Sequence, residues 1–158
     1  MTSSIPVKEL MTRDVITFTE DEEVGAAAQT LSKKRITGAP VVDSEGHVVG
    51  IVSEVDVLTK RGKTVKEIMS PHVIAVTEDT GVEEAAQLLA GKRIRRLPVL
   101  RGGKMVGLVS RSDILDFFAL SHWTCDNCGH WERGLEAPVI CAMCQGDSFH
   151  LERGAPGV

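Results

Sequence analysis

The sequence lacks several features that mark common functional classes. It contains no tyrosine, and aromatic residues make up only 4% of its 158 residues. The formal net charge is −4, so no overall basic field favours nucleic acid or an anionic membrane. There is no apolar run long enough to span a bilayer, and Met1 to Leu10 lacks the apolar centre of a signal peptide. We therefore expect a soluble cytoplasmic protein that does not bind a membrane.

Cysteine is absent from the first 124 residues and then occurs four times, as Cys125, Cys128, Cys141 and Cys144. Thiolates at positions i and i+3 of a tight turn can chelate one ion, and two such turns can close a tetrahedron. Because cytoplasmic thiols stay reduced, a metal is favoured over disulfides. The spacing predicts a structural zinc site, with iron as the alternative, since four thiolates suit either metal.

The residues around the cysteines predict a small module. Gly129 and Gly146 follow the two pairs, where turns of this type need a positive φ. Four thiolates saturate a structural site, so the nearby histidines are expected on the surface rather than on the metal. Trp123 and Trp131 are expected to form the small core. The histidines concerned are His122, His130 and His150.

The rest of the chain is an internal repeat. Residues 7–58 and 65–115 align throughout with one deletion after Gly103, so that Pro40 meets Pro98. Agreement of this length cannot come from shared composition. Two repeats together can bury apolar faces that one alone would leave exposed.

Each copy predicts the order strand, helix, strand, turn, strand, helix. The helices follow from apolar residues at helical spacing, and Thr80 with Glu83 fits a capping box at the start of one of them. The last helix of the second copy is expected to continue through residues 116–124. The other predicted positions are extended segments at Val15 to Phe18 and Val73 to Val76, helices from Val24 and Val82, hairpin strands from Pro40 and Pro98, and last helices starting at Ser53 and Ser110.

Each copy also carries the motif Gly-apolar-apolar-Ser-x-x-Asp, at Gly50 to Asp56 and Gly107 to Asp113. One interpretation is a capping box, in which the Ser and Asp side chains satisfy free N–H groups of the helix. The other is a nucleotide site, in which the carboxylate accepts both ribose hydroxyls and the helix mouth holds a phosphate. The spacing alone favours the cap, because capping boxes are common.

The repeat and these motifs together resemble the CBS domain, named after cystathionine β-synthase. Three elements carry the resemblance in order in each copy: Met-(Ser/Thr), apolar-Pro-Val, and Gly-x-x-Ser-x-x-Asp. The resemblance implies an α/β fold of tandem CBS repeats (β-α-β-β-α each) at residues 7–60 and 64–120. Residues 121–154 then resemble a zinc ribbon or a rubredoxin-like β module.

The resemblance implies clefts for AMP, ADP or ATP, and sometimes S-adenosylmethionine, each drawing on both copies. One site would combine Ser53 and Asp56 with residues 94–96, and the other Ser110 and Asp113 with residues 36–37. Arg95 and Arg96 suit phosphate, whereas their counterparts Thr37 and Gly38 do not, so we expect unequal sites. The full set of predicted nucleotide-binding residues is Thr12, Ile36, Thr37, Ser53, Asp56, Ser70, Ile94, Arg95, Arg96, Ser110, Arg111 and Asp113.

The resemblance implies a non-catalytic adenine-nucleotide sensor, and a homodimer, because CBS pairs commonly dimerise. We expect the tail to contact a protein effector. No nucleophile with a matching base argues for an enzyme. The alternatives are a rubredoxin-like iron redox protein and a nucleic-acid-linked zinc-ribbon adaptor. Residues 121–158 carry five acidic and two basic side chains, a net charge of −3, which disfavours the adaptor.

Overall fold

The computed structural model describes residues 4–92 and 94–154; Arg93, which precedes the predicted site residue Ile94, lies outside them. In the described ranges, no helix is both long and apolar enough to cross a bilayer. The elements are a 3-10 turn at Val7–Glu9, helices α1 Val24–Lys34, α2 Glu54–Thr59, α3 Val65–Ile68, α4 Val82–Gly91 and α5 Arg111–Leu120, and strands β1 Gly38–Val42, β2 Val48–Ser53, β3 Val76–Thr77, β4 Arg96–Arg101, β5 Lys104–Ser110, β6 Ser121–Cys125, β7 Trp131–Glu132 and β8 Phe149–Arg153.

These elements divide into two compact units. The copy-one unit contains residues 13–76 and 98–108, and the copy-two unit contains the described residues of 1–12, 77–97 and 109–158. The strands of the described residues form three sheets, with strand orders β1-β2, β3-β4-β5 and β7-β6-β8. The tail beyond α5 therefore belongs to the same unit as the helix that carries Asp113.

The copy-one unit is built around an antiparallel hairpin whose strands are apolar on the buried side. Strand β1 pairs with β2 from Gly38 opposite Ser53 to Val42 opposite Val48. This register places Ser53 at the end of β2, directly before α2. The buried core beneath the hairpin consists of Phe18, Ala27, Leu31, Ala39, Val41, Val52, Val65 and Ile68.

The copy-two unit buries the corresponding apolar faces of α4 and α5. Val82, Ala85 and Leu89 of α4 are buried, as are Ile114 and Phe117 of α5. The spacings of three and four residues place each set on one helix face, as the sequence predicts. Phe118, the neighbouring aromatic residue of α5, is 41% exposed.

Three sequence predictions about local structure are wrong. Gly81, not Thr80, is the N-cap of α4, and its cap has no side-chain hydrogen bond. The Thr80 hydroxyl instead accepts a hydrogen bond from the Thr77 N–H at 3.1 Å. Helix α5 ends at Leu120, because residues 121–125 join the tail sheet as β6. The extended segments form less strand than predicted: only Phe18 bridges β1, and the second segment becomes β3 only at Val76.

The tail is a three-stranded antiparallel sheet with β6 in the centre. Strand β8 pairs with β6 from Ser121 opposite Arg153 to Cys125 opposite Phe149. Trp123 is 3% exposed, and its indole N–H donates to the Gly134 carbonyl at 3.1 Å. Trp131 is 44% exposed and stacks against the Arg133 guanidinium, so it is not the core residue predicted.

Candidate ligand and metal sites

Both Gly-x-x-Ser-x-x-Asp motifs form complete capping boxes at the starts of α2 and α5. In copy one, the backbone N–H and hydroxyl of Ser53 donate to Asp56 Oδ2 at 2.9 and 3.0 Å. In copy two, Ser110 makes the same two bonds to Asp113 Oδ2 at the same distances. The predicted cap is therefore present twice, and it holds one carboxylate at each helix mouth.

The glycine of the motif is required by close packing in copy one. A Cβ on Gly50 would lie 2.6 Å from Met69 Sδ and 2.9 Å from the Ser70 carbonyl oxygen. The backbone of Ser70 exchanges two hydrogen bonds with Ile51, at 2.8 and 2.9 Å. The Met-Ser element and the Gly motif, distant in sequence, are therefore adjacent in this unit.

The two carboxylates differ in what surrounds the second oxygen. Asp56 Oδ1 lies 2.8 Å from Lys60 Nζ, one helical turn further along α2. Phe117 occupies the equivalent position in α5, and within the described part of the chain no cation pairs with Asp113. The copy-one carboxylate is thus already paired, whereas the copy-two carboxylate keeps one oxygen available for a ligand.

The remaining predicted nucleotide-binding residues fall in both units. In the copy-one unit, the Thr37 carbonyl accepts from the Glu54 N–H at 2.9 Å, beside half-buried Ile36. In the copy-two unit, Arg111 Nη2 donates to the Leu89 carbonyl at 3.4 Å. Thr12 and Arg95 are exposed, and Ile94 and Arg96 are half-buried. The predicted pairing of motifs with residues of the opposite copy remains a prediction.

Each unit contains a cavity next to its motif helix. Ile36, Thr37 and Glu54 line a mainly apolar cavity of ≈ 470 Å³ in the copy-one unit. Asp113 lines a cavity of ≈ 480 Å³ in the copy-two unit, together with Phe117 and Arg153 of the tail. Both volumes lie within the range of about 300–1,000 Å³ found for small-molecule sites.

The four cysteines come together in the tail. Their sulfur atoms all lie within 4.8 Å of one another. The Sγ atoms of Cys125 and Cys144 are 3.6 Å apart, as are those of Cys128 and Cys141. Sulfur ligands of a tetrahedral zinc with bonds of about 2.3 Å would lie about 3.8 Å apart, whereas a disulfide needs about 2.05 Å. The arrangement fits a tetrahedral metal and excludes disulfides.

The two cysteine pairs form matching turns. Gly129 N–H donates to the Cys125 carbonyl and Gln145 N–H to the Cys141 carbonyl, each at 3.0 Å. Gly129 has φ of 79° and Gln145 has φ of 66°, so the positive φ predicted for Gly146 belongs to the residue before it. Gly146 packs closely against the cluster instead: its N–H donates to Cys144 Sγ, and an added Cβ would lie 3.2 Å from that sulfur.

The polar groups around the cluster favour an anionic sulfur. The Asn127 amide and the Gly146 N–H donate to Cys144 and lower the pKa of its thiol to about 6. The His130 N–H acts in the same direction on Cys128, but burial and the other three thiols outweigh it and raise that pKa to about 12. The hydrogen bonds to Cys144 therefore favour its thiolate form.

Of the three histidines near the cluster, His150 is exposed as predicted and His130 is half-buried. His122 and His150 belong to a relay of hydrogen bonds through carboxylates. His122 is 4% exposed, contrary to prediction, and its Nε2 lies 3.1 Å from Glu152 Oε2. Glu152 Oε1 lies 2.8 Å from His150 Nε2, and His150 Nδ1 lies 2.5 Å from Asp126 Oδ1. Asp126, and next Glu152, raise the pKa of His150, because each carboxylate stabilises the imidazolium.

Sequence reasoning missed two residues at these sites. Lys60 was detectable, since a lysine four residues after Asp56 on a helix lies on the same face. Arg153 gave no local signal, because only the pairing of β8 with β6 brings it to α5. Its guanidinium carbon lies 5.9 Å from the centre of the Phe117 ring.

Comparisons with known proteins agree with the repeat. The family model for the CBS domain matches residues 7–63 and 65–120. The chain is 37% identical over 110 residues to inosine-5'-monophosphate dehydrogenase of Methanocaldococcus jannaschii, covering 68% of this chain and 22% of the dehydrogenase. The chain spans between 22% and 62% of the length of the first curated relatives.

Solved structures share the fold of the repeat. CBSX2 in complex with AMP has a TM-score of 0.66 at 31% identity, covering 70% of this chain and 93% of CBSX2. The CBS domain pair of protein MJ0100, in complex with 5'-methylthioadenosine and S-adenosyl-L-methionine, has a TM-score of 0.68 at 31% identity, covering 74% and 98% of the two chains. The chain belongs to the CBS-domain family and carries two CBS domains in tandem, followed by a module with four clustered cysteines.

Proposed function

We propose that the chain is a non-catalytic sensor that binds an adenine nucleotide or a related adenosine compound at its Ser-x-x-Asp motifs. The observation that carries the proposal is the carboxylate held at each helix mouth, where it can accept a ribose diol. The complexes of CBSX2 with AMP and of MJ0100 with S-adenosyl-L-methionine support an adenosine ligand.

The two motifs are expected to bind with unequal affinity. Arg95 and Arg96 favour a phosphate in the site that the resemblance assigns to Asp56. The Lys60 contact acts in the opposite direction, because a ribose must displace an ammonium that already lies 2.8 Å from Asp56. We give the Lys60 contact more weight, since ribose recognition depends directly on that carboxylate.

The test is calorimetry and thermal unfolding with a panel of adenosine compounds. The protein must first be shown to be free of retained ligand, because a bound nucleotide would mask binding. Saturable binding of at least one compound, with a matching rise in Tm, is the expected result. If no compound in the panel binds, the proposed function is wrong.

We further propose that the four-cysteine module holds one structural zinc ion. Closed tetrahedral sites of four thiolates serve folding rather than catalysis. Metal analysis of protein expressed with both zinc and iron available separates this from the rubredoxin-like alternative. Colourless protein with zinc supports the proposal, whereas red, iron-loaded protein supports the redox protein.

We also propose that a second copy of the chain covers the exposed faces of the motif helices. Val55 and Leu58 of α2 are 58% and 81% exposed, and Leu115 and Phe118 of α5 are 64% and 41% exposed. Apolar faces of this kind favour association. Sedimentation of the wild type and of Leu58→Asp tests the homodimer; a monomeric wild type would contradict it. The exposed Met143 in the tail is the expected contact for a protein effector.

A further inference from the structure

The cavity at Asp113 is closed on one side by the tail. Asp113 and Phe117 of α5 form one wall, Glu9 of the 3-10 turn another, and Arg153 of β8 the third. The sequence outside the matched CBS domains, which begins after residue 120, thus supplies part of this cavity. The cavity is therefore more than a feature of the CBS repeat alone.

The backbone on either side of Arg153 is tied to the end of α5 and to β6. The Gly154 N–H donates to the Leu120 carbonyl at 2.6 Å, and Arg153 pairs with Ser121 across the sheet. The Ser121 hydroxyl also donates to the Phe117 carbonyl. Because Phe117 lies four residues after Asp113, its Cα is about 6 Å further along the helix axis. Because Asp113 and Arg153 line the same cavity, a ligand that contacts Asp113 there has Arg153 beside it.

The charges around the cavity select among adenosine compounds. Glu9, Asp113 and Asp116 contribute three carboxylates, and Arg153 contributes one guanidinium. A polyphosphate would face this excess of negative charge and would be repelled by it. A positive group on the ligand would instead be attracted by Asp116 or Glu9, while a carboxylate would fit the fork of Arg153.

We propose that the Asp113 cavity binds an adenosine derivative with an amino-acid end, and that the tail's Arg153 contacts the carboxylate of that end. The proposal rests on the proposed function, since it assigns the ribose to Asp113. Asp113 holds the ribose, the neighbouring carboxylates attract the cationic part, and Arg153 binds the carboxylate. The metal-stapled tail thereby becomes part of the ligand site rather than an independent appendage.

The test compares two ligands that differ at the proposed contact. S-adenosyl-L-methionine carries the carboxylate, whereas 5'-methylthioadenosine lacks the whole amino-acid end, and ATP serves as the polyphosphate probe. Calorimetry uses the full, metal-loaded chain with Asp56→Asn, which silences the other motif. We expect S-adenosyl-L-methionine to bind most tightly. Arg153→Met should weaken it about 10-fold or more, because a charged hydrogen bond is lost, and should leave 5'-methylthioadenosine unchanged.

Two further variants separate ligand contact from a structural role. Arg153→Lys keeps the charge and should restore part of the affinity, and Arg133→Met, in the tail but outside the cavity, should change neither ligand. An equal loss for both ligands in Arg153→Met would overturn the proposal, as would tighter binding of ATP than of S-adenosyl-L-methionine. If the wild type binds no adenosine compound at all, the proposed function fails together with this inference.

Discussion

The two Ser-x-x-Asp motifs share one backbone arrangement and differ in what lies one helical turn beyond it. Both carboxylates accept the same two hydrogen bonds from serine, at 2.9 and 3.0 Å. Four residues after Asp56, Lys60 forms an ion pair with it. Four residues after Asp113, the ring of Phe117 contacts the guanidinium of Arg153 in the tail. The comparison shows the same cap at both helix mouths, and we expect the residue four positions later to influence what each carboxylate can bind.

The largest expected effect comes from removing the module that only the copy-two unit contains. Cys141→Ser should reduce the metal content from about one ion per chain to near zero, because a closed site needs all four thiolates. The tail should then unfold, and ligand affinity at Asp113 should fall with it. Metal analysis and calorimetry measure both. A variant that loses its metal and still binds ligand normally would show that the tail does not contribute to the cavity.

The next largest effect is the loss of ligand affinity when the charge of either carboxylate is removed. Asn can keep accepting from the serine, so Asp113→Asn and Asp56→Asn retain much of the cap while removing the charge. We expect Asp113→Asn to weaken ligand binding about 10- to 100-fold, since charged hydrogen bonds to the ribose are lost. Asp56→Asn should have little effect on the tight site. Equal losses, measured by calorimetry at matched Tm, would contradict the inequality of the motifs.

Removing either serine cap should have a smaller effect, a loss of folding stability that is similar in both copies. Ser53→Ala and Ser110→Ala each remove the side-chain acceptor at an N-cap, which costs about 1 kcal/mol of folding free energy. Urea unfolding of the two variants measures this cost. Similar losses are expected because the hydrogen-bond distances match. A loss confined to one variant would mean that the two caps do not contribute equally.

Removing the ion pair between Lys60 and the copy-one carboxylate should change ligand affinity by a still smaller amount. Lys60→Met removes the ion pair with Asp56, which is partly solvated and contributes about 0–1 kcal/mol. A weak second binding event should then strengthen by up to about fivefold. Lys66→Met is the control, since Lys66 pairs with Glu20 at the longer distance of 3.8 Å. Weaker copy-one binding in Lys60→Met would mean that Lys60 assists the ligand instead of competing with it.

The smallest expected effect concerns the relay in the tail, which has no counterpart in the copy-one unit. The pKa of His150 is raised above 6.5 by Asp126 and Glu152, so its contribution to stability is fully present below pH 6.5. That contribution disappears as the pH rises through the raised pKa. The Tm of the wild type should therefore exceed that of His150→Gln in mildly acidic buffer and converge with it in alkaline buffer. A difference that grows with pH would be the wrong sign.

The local patterns in the sequence predicted much of this arrangement. The helices, the hairpins and both caps follow from short-range periodicity and capping, which act within a few residues. The predicted N-cap at Thr80 was wrong because α4 begins one residue later than the capping pattern predicts. Helix ends are the least certain part of such a prediction. The predicted helix at residues 121–124 was wrong because these residues pair with β8, which lies about 30 residues further along the chain and gives no local signal.

The site was predicted less completely than the fold for the same reason. The four cysteines could be assigned because their spacing encodes their chemistry. Arg153 could not, because its position depends on strand pairing over a long sequence separation. Gln145, not Gly146, has the positive φ, while Gly146 lies close to Cys144 Sγ.

The stoichiometry of ligand binding to the wild type tests the central claim most directly. Calorimetry of ligand-free, metal-loaded protein with its tightest-binding adenosine compound counts the sites in one titration. The account predicts one tight site per chain, at Asp113, with any second site clearly weaker. Two sites of equal affinity, or a single tight site that survives Asp113→Asn, would contradict it.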